Sequence, residues 1–110
     1  LQKKGFQVVV RNWKHKRDEL DLVCRDKEIL VFVEVKTRSQ KALVPGYYAN
    51  DRRKKKALLR GCRAYLRTLP QKPKTIRFDV VEVSRMGGKA ERISHYENVP
   101  LFSKEFARSP

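Results

Sequence analysis

Asp21 is followed thirteen positions later by Glu34-Val35-Lys36, giving the arrangement Asp…Glu-x-Lys. Two carboxylates and the Val35 backbone carbonyl make a hard oxygen site suited to Mg²⁺ or Mn²⁺, with waters completing an octahedron. An ion there polarises a phosphodiester and lowers the pKa of a bound water. An ammonium on the same side, Lys36, can orient that water or stabilise the charge that develops on phosphorus. Glu19 precedes Asp21 by two positions, so it can share the face and ligate an ion or bind a water. The chemistry these types suit is metal-assisted hydrolysis of a phosphate ester.

The elements that must hold these groups follow from the patterning. Ile29 to Lys36 is apolar and β-branched almost without a break, which predicts a strand covered on both faces. Glu34 and Lys36 break the run at its C-terminal end, two positions apart and therefore on one face. Unpaired charges are costly inside a core. They must surface into a cleft or pair with each other. Leu20 to Cys24 predicts a preceding strand, with Leu20, Leu22 and Cys24 on one side and Glu19, Asp21 and Val23 on the other. A turn near Asp26-Lys27-Glu28 joins the two as an antiparallel hairpin. With Lys27-Glu28 as the turn, Asp21 lies opposite Glu34. With Asp26-Lys27, it faces Phe32 and Glu34 is its diagonal neighbour. Both registers keep Asp21, Glu34 and Lys36 on one face, provided no one-residue bulge intervenes.

Around this hairpin, Leu1 to Gly5 reads as a helix tail ended by a glycine cap, the body of that helix being absent from the sequence. Phe6 to Trp13 is a first strand, leading out through the basic run Lys14-His15-Lys16-Arg17. Residues 37–49 form a loop with Pro45, Gly46, Tyr47 and Tyr48. A helix then starts at an Asn50 or Asp51 cap. It runs to about Leu69, with Leu58, Cys62, Tyr65, Leu66 and Leu69 as its apolar stripe. Its first turns carry Arg52, Arg53, Lys54, Lys55 and Lys56, which oppose the helix dipole unless an anion docks. Ile76 to Val83 is another strand, with Phe78, Val80 and Glu82 on one face and Asp79, Val81 and Val83 on the other. Residues 86–89 turn the chain, and Arg92 to Tyr96 is an edge strand. The tail places Leu101, Phe102 and Phe106 back on the domain. The pattern is one α/β domain over residues 1–110, with a mixed central sheet flanked by helices.

Charge narrows the partners. Lys and Arg number 27 against 12 Asp and Glu, a formal +15. So large an excess repels itself in the compact state and is relieved by a polyanion, with nucleic acid the first candidate. No apolar run approaches the roughly 20 residues of a spanning helix. No helix has the bulky apolar face of an interfacial anchor, so no membrane is expected. No leader is apparent at Leu1 to Gly5. Cys24 and Cys62 lie on apolar positions without metal-ligand spacing. They read as free, buried thiols of a cytoplasmic protein, a disulfide being the alternative.

Four blocks carry a resemblance: Arg11-Asn12-Trp13, Glu19-Leu20-Asp21-Leu22, Leu30-Val31-Phe32-Val33-Glu34-Val35-Lys36-Thr37-Arg38 and Arg77-Phe78-Asp79-Val80. In order and spacing they resemble the bacterial YraN-type family, placed in the PD-(D/E)XK nuclease superfamily near Holliday-junction resolvases. The resemblance implies a restriction-endonuclease-like core. It implies metal sites at Asp21 and Glu34 and catalysis by Asp21, Glu34 and Lys36. It further implies a DNA endonuclease acting on branched or structured DNA, with a homodimer as the expected assembly. Nucleic acid is then expected at Arg38, Arg52, Arg53, Lys54, Lys55 and Lys56, with Lys54 the best match to the family's helix-start lysine and Lys55 or Lys56 as alternatives. The sequence also departs from the family. Asp18 stands where a glycine is common before the Glu-x-Asp, and Pro45-Gly46-Tyr47-Tyr48 replaces a Gly-x-Pro-like turn. The superfamily often carries another glutamate on a leading helix, and that helix is absent here.

Bland alternatives stand beside each assignment. Asp21, Glu34 and Lys36 could form a surface salt-bridge cluster, Glu19 a solvated strand end, and Arg52 to Lys56 an exposed helix end. Tyr47 and Tyr48 stack on unpaired bases or pack on the core. Asp79 reads as structural, paired with Arg77; Trp13 as core or lid. His15 and His95 carry no pattern. The competing function classes are a nuclease-like module that grips DNA or RNA without cutting and a basic scaffold for a protein or ribosomal partner.

Overall fold

The apolar run at Ile29 is the middle strand of the sheet, and its neighbours explain its composition. A computed structural model of the chain describes residues 5–38, 52–86 and 90–102. Five strands and one helix follow in order: β1 Gln7–His15, β2 Asp18–Asp26, β3 Ile29–Arg38, α1 Arg52–Arg67, β4 Thr75–Met86 and β5 Ala90–Tyr96. The strands lie side by side in chain order. β3 and β4 are parallel, and the other three pairings are antiparallel. The parallel pair requires a crossover, which contains α1. The protein is therefore α/β with a five-stranded mixed sheet and a helix packed on it, as a restriction-endonuclease-like fold requires.

Alternation along β3 and β4 divides the core. Leu30, Phe32, Phe78 and Val80 face α1 and pack with Leu58, Cys62, Tyr65 and Leu66. Val31, Val33 and Val81 face the other way, where Phe6 and Cys24 meet them. Both faces of β3 are thus covered, so the strand is apolar on both. Cys24 and Cys62 are free and buried on opposite faces, which excludes the disulfide. Among the described residues no helix is long and apolar enough to cross a membrane.

Boundaries differ modestly from the sequence expectation. β3 continues through Thr37 and Arg38, past the expected start of the loop, because β4 pairs with it that far. β4 extends from Thr75 to Met86 for the same reason, with β5 pairing along its second half. Gly5 has φ +86°, a left-handed backbone that glycine adopts readily, and the helix tail expected before it lies outside the described residues. The Asn50 or Asp51 cap, Tyr47, Tyr48 and Phe106 lie outside the described residues.

One expectation about facing is corrected. The sequence alternation put Leu20 with Leu22 and Cys24, opposite Val23. In the fold Leu20 and Val23 both pack toward α1, while Leu22 and Cys24 belong to the other face. β1 resets at the same level. Val10 and Trp13 both pack toward α1 although they are three apart. Between them Asn12 has φ +50°, which asparagine tolerates better than most residues. Arg11↔Leu22 and Trp13↔Leu20 pair on either side, so the β1 kink sits across from Asp21.

α1 crosses β2 closely. A Cβ on Gly61 would lie 3.2 Å from Leu20 Cδ2 and 3.6 Å from Asp18 Cβ. The missing side chain lets Arg60 next to it reach Asp18, with Nη2 donating to Oδ1 at 2.7 Å and Nε donating to Oδ2 at 2.9 Å. Asp18 is thereby a buried acid that ties β2 to the helix.

Candidate active site

The hairpin register is the one with Lys27-Glu28 as its turn. Lys27 has φ +58°, and Asp26↔Ile29 through Leu22↔Val33 form the ladder. The ladder then stops, one residue short of Asp21 and Glu34. Where the strands part, Val35 has lost its partner on β2. Asp21 Oδ2 takes that place, accepting the Val35 N–H at 2.9 Å. The one-face argument from unbroken alternation therefore does not carry Asp21 to the site. The carboxylate arrives because the two strands separate and its oxygen satisfies the exposed backbone donor.

The separation opens a cleft of about 650 Å³ lined by Asp21, Glu34, Val35 and Lys36 from the hairpin and by Arg53, Lys54, Ala57 and Leu58 from α1. Arg17, Asp18 and Glu19 complete its rim. Glu34 is 8% exposed, a largely desolvated carboxylate. Its Oε2 lies 3.3 Å from Lys36 Nζ and 3.2 Å from Lys54 Nζ. One carboxylate oxygen thus gathers two ammonium groups, one from its own strand and one from the helix across the cleft.

These placements shift the acidities. Burial raises the Asp21 carboxyl above its ordinary 3.8; the Val35 N–H opposes this, and the like charges of Glu34 and Glu19 add to it. Burial lowers the Lys36 ammonium below its ordinary 10.5; the neighbouring Lys54 lowers it further, and Glu34 opposes. Opposing pulls on an acid and a base in one cleft are typical of functional sites. Cys62, beneath Glu34, is pushed well above 9.0 by burial and then by that carboxylate, so it is a packing group and not a nucleophile.

The donor set suits a small hard divalent ion: the Asp21 and Glu34 carboxylates with the Val35 carbonyl. The repulsion that raises Asp21 is one a cation would relieve. Among the described residues no group of three Asp, Glu, His or Cys side chains converges, so protein oxygens beyond these would have to be replaced by waters. Glu19 is exposed at the rim. Of the predicted nucleic-acid residues, Arg53 and Lys54 line the cleft, while Lys55 and Lys56 lie on α1 away from the lining. Arg38 and Arg52 sit on β3 and α1 by backbone, and their side chains fall outside the described ones.

Sequence reasoning gave Asp79 only Arg77 and gave His95 nothing. Asp79 is fully buried on the far side of the sheet. It accepts Arg77 Nε at 2.9 Å, Arg77 Nη2 at 3.0 Å and the Asn98 N–H at 2.9 Å, and His95 Nε2 lies 2.8 Å away. This cluster locks β5 and the following turn to β4. Its only sequence signal was a carboxylate inside an apolar strand, which demands partners without naming them.

Residues 1–83 match the model of the family described as Uncharacterised protein family UPF0102. The chain belongs to this family. It is the YraN-type family that the four sequence blocks resemble. Relatives in UPF0102 include a protein from Beutenbergia cavernae, 42% identical over 99 residues, covering 90% of this chain and 84% of its own length. One from Porphyromonas gingivalis is 37% identical over 115 residues, covering 99% and 82%. One from Nitratidesulfovibrio vulgaris is 38% identical over 87 residues, covering 79% and 65%. The match thus spans about two thirds of the length of the last relative. The UPF0102 match includes β1 to β3 and α1, the elements that line the cleft.

Proposed function

We propose that this UPF0102 member is a Mg²⁺- or Mn²⁺-dependent DNA endonuclease, with branched or structured DNA as its substrate class. The observation that carries the reading is the convergence of Asp21, Glu34, Val35, Lys36 and Lys54 on one cleft. Asp21 and Glu34 would hold the ion with the Val35 carbonyl. A bound ion supplies Lewis acidity to a phosphoryl oxygen and an acidified water. Asp21 is held for this by the Val35 N–H, which leaves its Oδ1 for an ion. Lys36, desolvated and already lowered, exchanges its hold on Glu34 for the attacking water or a phosphate oxygen. Lys54 and Arg53, on the helix wall, receive the flanking phosphates.

The test is cleavage of branched and linear DNA with Mn²⁺, comparing wild type with Asp21→Ala, Glu34→Ala and Lys36→Ala. Loss of cleavage in all three supports the reading; equal cleavage by all four proteins discards it.

One observation favours a second reading, a module that binds nucleic acid without cutting. Glu34 already meets two ammonium groups, and a carboxylate so compensated has less need of an ion. Manganese titration separates the two. Salt-dependent DNA binding with no Mn²⁺ uptake would favour the module.

A further inference from the structure

α1 has a second face that meets the cleft at Arg53 and runs on beyond it. Leu58, Cys62, Tyr65 and Leu66 point into the core. Opposite them, Arg53, Lys56, Arg60, Arg63 and Arg67 recur at intervals of three and four, within an arc of about 80° at 100° per residue. Arg53, Lys56, Arg60 and Arg67 are exposed and Arg63 is half-buried. All five are basic, and the 16-residue helix contains no acidic residue.

This is an unfavourable way to keep a helix soluble. Like charges at these spacings repel, whereas alternating Glu and Lys would attract. The cations of the first turn also oppose the dipole. Asp18 answers the stripe at one point, through Arg60. An extended anion lying along the helix removes all of these costs together.

The stripe also starts at the right place. Arg53 lines the cleft, so a polyanion entering there continues onto Lys56 and beyond. Arg67 lies 14 residues past Arg53. That is about 21 Å of helix, the axial length of about six base pairs of duplex. The one aromatic of the helix, Tyr65, is buried in the core and does not share the stripe. Readers of single strands stack bases on aromatics, whereas a row of cations alone follows phosphates.

We infer that the outer stripe of α1, through Arg53, Lys56 and Arg67, is a phosphate track for duplex DNA leading away from the cleft. This rests on the cleft being a phosphodiester site. The experiment is fluorescence anisotropy of a duplex two helical turns long, in EDTA, across a series of salt concentrations. The proteins are wild type, Lys56→Gln/Arg67→Gln, and the control Arg11→Gln/Lys27→Gln, which removes the same charge from exposed positions off the helix. The expected result is a salt-dependence slope shallower by about 2 for the helix pair, at about 0.9 per phosphate contact, and an unchanged slope for the control. Lys56→Arg/Arg67→Lys should retain the wild-type slope. Equal losses in both Gln pairs, no loss in the helix pair, or equal affinity for a single strand of the same length would each overturn the track. Binding is read without a divalent ion. The track can therefore fail while Mn²⁺-dependent cleavage persists, and cleavage can fail while the track stands.

Discussion

Asp21 Oδ2 accepts the N–H of Val35 at 2.9 Å, immediately beyond the last β2–β3 pair, Leu22↔Val33. The acid is positioned by the backbone of the strand that carries the other acid. Asparagine can keep that bond through its own carbonyl oxygen but loses the charge. Asp21→Asn should therefore melt within about 0.5 kcal/mol of wild type while its Mn²⁺ affinity, by calorimetry, falls at least tenfold. Asp21→Ala also strands the Val35 N–H and should lose about 1 kcal/mol in denaturant unfolding. Undiminished Mn²⁺ binding by Asp21→Asn would remove this acid from the metal site.

Glu34 joins two lysines, and their titrations should reveal it. In Glu34→Gln a carboxylate that raises Lys36 is gone while burial and Lys54 still lower it, so its Nζ should titrate at lower pH than in wild type. In Lys54→Gln the second lowering influence is removed and Lys36 should titrate higher. Side-chain amine NMR reads both. Shifts of the same sign in the two variants would contradict the shared carboxylate.

The Asp18–Arg60 bridge makes stability depend on acid. The guanidinium holds Asp18 below its ordinary 3.8, against the effect of burial. A depressed carboxyl adds stability that is fully present above 3.8 and is lost as pH falls through the folded-state value. Asp18→Asn should lower Tm near neutral pH, and the gap to wild type should close in acid below 3.8. A gap independent of pH would mean that packing, not charge, is what Asp18 contributes.

Asp79 should matter more to folding than to the cleft. Asp79→Ala removes the buried acceptor that Arg77 Nε and Nη2, His95 and the Asn98 N–H share and should cost about 3 kcal/mol, measured by urea unfolding. At temperatures where this variant is folded, its Mn²⁺ affinity should match wild type. A large loss of metal affinity in a fully folded sample would connect the two sides of the sheet.

Much of this was legible in residue order. The uninterrupted β3 run announced a strand covered on both sides, and Leu58, Cys62, Tyr65 and Leu66 announced the face of α1. Glu34 and Lys36 needed only their two-residue spacing. Asp21 did not follow from periodicity, because Asn12 and the parting of β2 from β3 reset the alternation there. Such a local irregularity is set by tertiary packing and leaves only a faint mark in composition, here an asparagine in a strand. Lys54 was visible as charge, but its reach to Glu34 depends on how α1 lies over β2. That is fixed by Gly61, a residue with no side chain to advertise it. His95 found its partner through β4–β5 pairing, where Val81↔His95 sets it beside Asp79.

Among the described residues, none of those around the cleft comes from β4, β5 or the turn after them. The Asp79 cluster holds those pieces in place from the opposite side of the sheet. The distal third of the molecule thus acts as a buttress to the cleft strands, joined to them through the β3–β4 ladder. Beyond β4, the outward surface of β5 can be altered so long as some donor still meets that buried acid. New binding specificities could be grafted there without disturbing the acidic cradle.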